Sequence, residues 1–437
     1  MQSKIEEVLI RLMSAGYEAY MVGGSVRDIL LGKTPHDYDV ATSALPEEII
    51  KVFKEYKTLA LGKRYGTITV IIEDEHFEIT TFRTELGHTD SRHPDEVIFT
   101  DDVREDLKRR DFTINAMAMY EGKILDLHGG RKDLEDKIIR TVGNPEERFR
   151  EDALRMIRAI RFATVLNFEI EEKTLNSIID NAYLLRSVAN ERLKIEIDKI
   201  LLSERPSIGL ELLAKTDALK YIIPELHDCI GFEQRTKYHD KTVFDHIKCV
   251  VDSTEKNLKQ RVSGLLHDIA KPKTFSVDEN GQGHFYGHDE IGAKMSGEIL
   301  RKFGYSKAFI GRVQILISEH MKVHEEISDK ALRRQLRRVG SDNILDLYSL
   351  MIADRMCTTE GRDIDFLLKI RERAKGLLKE DIAKEKFLCL NGNDIKALGY
   401  REGKEIGNIL RYLEEIVLDK PELNKKDYLI EILKNRG

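Results

Sequence analysis

Cysteine, proline, long apolar runs and an excess of basic charge are all missing or scarce in this 437-residue chain. The four cysteines, Cys229, Cys249, Cys357 and Cys389, lie far apart with no CxxC pair. That fits reduced, buried, structural thiols better than a zinc site or a disulfide framework. With only 8 prolines and no Gly/Ser-rich tract, the helices are expected to join through short turns without a flexible linker. No stretch of about 18 apolar residues occurs, and 34% of residues are charged. With a mean hydropathy of -0.39, a membrane span is excluded. The first residues, MQSKIEEVLI, mix acids and bases and lack a signal-peptide apolar region, so a cytoplasmic location is expected. Finally, 71 Lys and Arg against 77 Asp and Glu give a net charge of -6. A nucleic-acid partner would have to be met by segregated charge. The densest local excess is KALRRQLRR, with Lys330, Arg333, Arg334, Arg337 and Arg338 at helical spacing. A solvated helix face is the plainer reading of it.

What is present suffices for folded cores: 41% of residues are hydrophobic, and the length argues for two to four domains in series. Strand-length apolar runs (EAYMVGG, TITVII, HFEITTF, ILDLHG) alternate with short helical segments up to about residue 140. Beyond ERFREDALRMIRAIRFA the i, i+3, i+4 apolar spacing is nearly continuous, through ERLKIEIDKILL, SGLLHDIA and DNILDLYSLMIADRM. The fold class is therefore a mixed α+β head followed by an all-α neck, body and tail. The expected divisions are 1–140, 141–205, 206–375 and 376–437.

In MVGGSVRDILLGKTPHDYDVAT, Gly23 and Gly24 follow a strand and open a helix, so backbone and free amides come close to an anion, and Arg27 adds a charged donor. Asp37 and Asp39 flank Tyr38, which puts both carboxylates on one face of an extended strand. Acids that close repel one another unless divalent cations neutralise them; Mg²⁺ shared between carboxylates and substrate phosphates is the usual solution. Glu78, in FEITTF, is a third possible ligand. An isolated D-x-D also occurs in solvated turns, but beside GGSVRD that explanation loses weight.

The ordered set GGSVRDILLG, HDYDVAT, RRDFTINAMAM, DLHGGRKDLEDKIIRTVG and EDALRMIRAIRF resembles the class II tRNA nucleotidyltransferases, the CCA-adding enzymes and bacterial poly(A) polymerases. The resemblance implies a head of the polymerase-beta nucleotidyltransferase type. It further implies nucleotide contacts from Gly24, Arg27 and Arg110, metal binding by Asp37 and Asp39, and CTP, ATP and tRNA as partners. Oligomeric state is left open by it.

In EDALRMIRAIRF, Asp152, Arg155, Arg158 and Arg161 step by three along a helix and share a face. By themselves they fit an intrahelical ladder of ion pairs. Their chemistry also fits base selection: cytosine and adenine each present an amine beside a ring-nitrogen acceptor, matched by a carboxylate and a guanidinium. Uracil and guanine present the opposite polarity, at a cost of roughly 1–3 kcal/mol per mismatched buried group. The resemblance assigns this templating role to Asp152 and Arg155, with Arg158 and Arg161 among the nucleotide contacts. The segment RTELGHTDSRHPDEVIF resembles the flexible loop with which CCA-adding enzymes change from C to A. Full CCA addition is therefore expected, ahead of A-addition alone or poly(A) synthesis.

Further on, His246, His267-Asp268, His288, His320 and Asp354 lie in helical contexts, and Lys271 follows where it could meet a phosphate. Neutral imidazoles with carboxylates suit Mn²⁺, Ni²⁺, Fe²⁺ or Zn²⁺. The set resembles the HD-domain phosphohydrolases, although histidines satisfied within a vestigial helical core would leave the same pattern. The last segment, from Cys389, resembles the tRNA-gripping tail of the nucleotidyltransferases; Gly399 and Gly403 there are either phosphate-facing turns or plain helix stops. Two other classes compete: a metal phosphohydrolase whose head only binds RNA or nucleotides, and a non-catalytic RNA-binding adaptor.

Overall fold

A computed structural model describes residues 2–35, 37–86, 96–236, 241–323, 325–358, 363–378 and 387–435. The chain forms two compact units, Met1–His227 and Asp228–Gly437.

The first unit is built on a seven-stranded mixed sheet. Its strands are β1 (Ala19–Val22), β2 (Tyr38–Thr42), β3 (Lys57–Leu59), β4 (Thr67–Ile72) and β5 (Glu75–Thr81). After a separate hairpin of β6 (Arg83–Leu86) and β7 (Glu96–Phe99) come β8 (Met117–Tyr120) and β9 (Lys123–Asp126). The sheet order is β3-β4-β5-β2-β1-β8-β9. Only β2 and β5 run parallel; the other neighbours are antiparallel. β-Branched residues set the register. In β4, Ile68, Val70 and Ile72 point into the core while the threonines and Ile71 between them do not, and in β5 Phe77, Ile79 and Thr81 do the same. That alternation turns Glu78 to the opposite face, where the parallel register sets it beside Asp39. The expected strands EAYMVGG, TITVII, HFEITTF and ILDLHG all form here.

From Leu154 onward the chain is almost entirely helical. In the second unit one core joins Leu332 and Leu336 of the Asp329–Val339 helix, Tyr348 of the Ile344–Met356 helix and Leu413 of the Lys404–Asp419 helix. The basic face of KALRRQLRR is not simply solvated. Arg334 pairs with Glu415, Arg337 with Glu414 at 2.9 Å, Arg338 with Glu319 at 2.7 Å and Lys330 with Asp419 at 3.6 Å. Gly399, at φ 94°, follows the C-terminal end of the Gly392–Ala397 helix as an ordinary stop does, whereas Gly403, at φ 104°, opens the Lys404–Asp419 helix. One expectation fails. Cys249 and Cys357, 108 residues apart in sequence, are brought to a Cα–Cα distance of 5.8 Å and joined in a disulfide. Spacing along the chain is blind to that pairing, because packing of two helices creates it. Cys229, buried, and Cys389, exposed, take no part in a disulfide.

Candidate active site and candidate metal centre

In the first unit, Gly23 ends β1 at φ 71° and leads into the seven-residue Gly24–Leu30 helix. A side chain there would sit 3.1 Å from Arg110 Nη1 and 3.5 Å from Asp39 Oδ2, so the glycine leaves open the space between a guanidinium and a carboxylate. Asp39 lies opposite Val22 of β1 on one side and Glu78 of β5 on the other. Burial pushes the Asp39 carboxyl above its ordinary range; Arg110 opposes this, and Glu78 and Asp37 add to it. Asp37 is exposed, one residue ahead of β2. Asp39 and Glu78 thus share a face through the strand register, with Asp37 close enough to act on the Asp39 carboxyl.

Around this face the arginines are held by acids that the sequence reading did not single out. Asp106, fully buried, accepts from Arg109 at 2.7 Å and from Arg110 at 3.1 Å. Burial raises the Asp106 carboxyl, but Arg110 and Arg109 outweigh it and hold it below the usual range. Arg27 donates to Asn115 Oδ1 at 2.9 Å and lies over the Phe162 ring at 5.3 Å.

The proposed base-reading residues differ from the expected geometry in one respect. The helix starts at Leu154, so Asp152 sits in the extended residue between two helices, not on the arginine-bearing helix. Its carboxylate accepts from the Leu154 amide at 3.1 Å and from both terminal nitrogens of Arg192 at 3.2 and 2.8 Å. By accepting from the first amide of the next helix, the Asp152 carboxylate favours this break. Arg155 pairs with Glu151 and donates to the Arg148 carbonyl at 3.2 Å. Arg158 grips Asp111 through two nitrogens at 2.8 and 2.6 Å, and Arg161 meets Glu196 at 2.8 Å. An intrahelical ladder is therefore not what forms, since Asp111 and Glu196 come from other elements. Arg192 and Glu196 went unnoticed; their i, i+4 spacing in ERLKIEIDKILL was the available signal. Of the expected mobile loop, residues 87–95 lie outside the described residues, while its flanks pair as β6 and β7.

The second unit gathers all six of its expected ligands. His246, His267 and Asp354 bring ligand atoms within 4.8 Å of one another, and Asp268, His288 and His320 form a second such set. Among the described residues these are the two sets of that kind; Asp37, Asp39 and Glu78 are spread more widely. The helices Val243–Ser253 and Ile344–Met356 supply His246 and Asp354, whose Nε2 and Oδ1 lie 2.8 Å apart. His267, His288 and His320 each direct Nδ1 at a carbonyl three residues back, Gly264, Phe285 and Ile317, at 2.8, 2.7 and 2.6 Å. A carbonyl only accepts, so Nδ1 carries the hydrogen and Nε2 is turned inward; this is how ligating imidazoles are normally oriented. Nε2 of His288 and of His320 is buried without a hydrogen-bond partner. Burial, with His267 and His288 nearby, pulls His320 down to about 4, so that ring is neutral. Burial also opposes charge on His267, but Asp268 and Asp354 outweigh it and push that ring up to about 10. Lys271 bonds Asp268 at 2.7 Å and Gln234 at 2.8 Å, and lines a cavity of about 570 Å³ with Asp268, His288, His320, Asp354 and Arg355.

Residues 19–140 match the Poly A polymerase head domain, 167–230 match the probable RNA and SrmB-binding site of polymerase A, and 237–359 match the HD domain. A CCA-adding enzyme of Lactococcus lactis subsp. lactis is 52% identical over 432 residues, covering 97% of this chain and 94% of the relative. The chain belongs to the CCA-adding enzyme family. Another member, from Ligilactobacillus salivarius, is 36% identical over 97% of this chain and 94% of its own length. The crystal structure of the Bacillus stearothermophilus CCA-adding enzyme in complex with CTP has a TM-score of 0.76 at 29% identity, covering 99% of this chain and 98% of that one. The family's head, with its mixed sheet, followed by helices is thus the fold seen here.

Proposed function

We propose that this chain adds the sequence CCA, without a nucleic-acid template, to the 3′ ends of tRNA from CTP and ATP. The observation that carries the reading is near-full-length identity of 52% to a CCA-adding enzyme, in a chain that sets Asp39 beside Glu78 and Arg110. A pair of divalent cations, Mg²⁺ in the first instance, would supply Lewis acidity to the 3′ hydroxyl and the leaving pyrophosphate. Asp37 and Asp39 would hold them, with Glu78 as third carboxylate. Arg27 and Arg110 orient phosphate oxygens, and Gly23 and Gly24 let the triphosphate approach the backbone. Asp152 and Arg155 read the base. Although Arg192 and the Leu154 amide occupy part of the Asp152 carboxylate, its two oxygens offer about four lone-pair directions, leaving room for the amine of C or A. Arg192 then fixes the plane in which Asp152 meets that base. On this reading residues 1–140 activate the nucleotide, 141–205 choose it, 206–375 carry the second metal centre and 376–437 grip tRNA. The test is purified protein with tRNA ending at the discriminator base, Mg²⁺, and CTP with or without ATP. CTP alone should stop at CC, and both nucleotides should give CCA; uptake of ATP only on tRNA already ending in CC would favour A-addition.

A second activity is favoured by the inward Nε2 atoms of His288 and His320 beside Asp268. We read this centre as a divalent-metal phosphohydrolase, taking Mn²⁺ or Ni²⁺, whose cavity presents Lys271 and Arg355 to a phosphate. Hydrolysis of 2′,3′-cyclic nucleotides or phosphorylated RNA ends with Mg²⁺, Mn²⁺, Ni²⁺ or Co²⁺ tests it.

A further inference from the structure

The disulfide sits where it bears on the second metal centre. Cys249 follows His246 by three residues on the Val243–Ser253 helix, and Cys357 follows Asp354 by three at the end of the Ile344–Met356 helix. The same two helices are therefore joined twice, by the His246–Asp354 contact and, one turn farther along each, by the sulfur bridge. The two sulfurs are placed unequally. Cys357 is 1% exposed, whereas Cys249 is only partly buried. Lys241 sends its ammonium to within 3.9 Å of Cys249 Sγ and donates to the Cys357 carbonyl at 3.1 Å. The Ser253 hydroxyl lies 3.5 Å from Cys357 Sγ.

We propose that Cys249 and Cys357 form a reversible oxidation site, and that their disulfide braces His246 and Asp354 so that thiol–disulfide exchange sets how tightly the centre holds its divalent cation. The inference rests on the metal-centre reading given above. The exchange partner is a low-molecular-weight thiol and its disulfide. An external thiolate attacks the accessible sulfur of Cys249; the Cys249–Cys357 bond breaks, and Cys357 leaves as a thiolate beside the Ser253 hydroxyl, then takes a proton from solvent. A second external thiolate attacks the outer sulfur of the mixed disulfide and releases Cys249 as a thiolate next to the Lys241 ammonium. In sum, two thiols become one small disulfide, the protein disulfide becomes two thiols, and the reverse reaction oxidises the pair. Groups that orient metal ligands tune the affinity of the site. Loss of the brace frees the two helices that supply one imidazole and one carboxylate.

The test uses the full-length chain with Asp37→Ala and Asp39→Ala, so that only the second centre binds cation. One sample is treated with oxidised glutathione and one with dithiothreitol. Alkylation and intact mass report the thiols, and Mn²⁺ titration calorimetry reports affinity. Oxidised protein should resist alkylation at Cys249 and Cys357 and bind Mn²⁺ roughly 10-fold more tightly than reduced protein, as expected for supports just outside a ligand shell. Cys249→Ser should bind at the reduced-state affinity whichever reagent is used. The comparison of two redox states of one chain does not depend on that variant folding. Full alkylation of both cysteines after oxidised glutathione overturns the proposal, and so does equal Mn²⁺ affinity in the two states. If neither state binds Mn²⁺ or Ni²⁺, the metal-centre reading falls and the coupling with it, while alkylation still reports separately whether the bond forms.

Discussion

The two acid-rich sites of this chain are assembled in different ways. In the second unit six ligands from several helices already converge, with His246 and His267 at 0% exposure and three Nδ1 atoms tied to carbonyls. In the head, Asp37 is exposed, Asp39 and Glu78 meet only through strand register, and the arginines are held by Asp106, Asp111 and Glu196. The first arrangement is already gathered among buried side chains. The second offers a partly open face that nucleotide and primer must complete. A site that accepts C, then C, then A on a growing end has reason to be of the second kind, since its contents change at each step.

The sharpest way to break the comparison is at the head carboxylates. Asp37→Ala with Asp39→Ala should lower nucleotide addition by at least about 10²–10³-fold, the scale of losing an electrostatic stabiliser at a reacting centre. tRNA retention on a filter should stay near that of the unaltered protein. Next in size is base choice. Replacing Asp152 and Arg155 together should narrow the preference for C and A over U and G by roughly 1–3 kcal/mol per lost contact. Incorporation of all four nucleotides measures this, and unchanged selectivity would move the reader elsewhere. Arg192→Met should shift selectivity in the same direction with smaller effect.

The head also responds to acid. Asp106 and Asp111 are both held below the usual carboxylate range: burial raises each, and Arg110 and Arg109, or Arg158, overcome it. The unfolded chain therefore takes up their protons at higher pH than the folded one. Their contribution to stability is complete above about pH 4, the ordinary carboxylate value, and is lost as pH falls through the folded-state values. Urea unfolding as a function of pH should give an acid limb that Asp106→Asn flattens. The smallest effect is expected at the paired basic helix. Arg334→Ala should cost no more than about 1 kcal/mol, because its ion pair with Glu415 is solvent-exposed.

Much of this was legible in the residues. Alternation in TITVII and FEITTF gave both strands and the face of Glu78, and the strand register sets Asp39 beside it, with Asp37 one residue ahead of the strand. All six candidate ligands gathered as their order suggested, with His267, Asp268 and His320 at or just past helix ends, because buried His and Asp need partners there. What spacing could not give were relations between distant segments. The Cys249–Cys357 bond, the Arg192 grip on Asp152 and the glutamates covering KALRRQLRR all depend on which helices pack together. The break before Leu154 was hidden because an unbroken three-residue step in Asp152, Arg155, Arg158 and Arg161 looks the same whether or not the first residue is helical.

The measurement that tests the account most directly is tRNA extension by three proteins, with products sequenced at the 3′ end: unaltered, Asp37→Ala with Asp39→Ala, and His267→Ala with Asp268→Ala. Thermal unfolding is run alongside, since stripping a ligand pair from a buried centre leaves its neighbours unpaired. The account predicts CCA on tRNA from the unaltered and the His267/Asp268 proteins at rates within about twofold, as for independent sites, and no addition from the Asp37/Asp39 protein. Addition that survives loss of both head carboxylates, or that disappears in a folded His267/Asp268 variant, would contradict it.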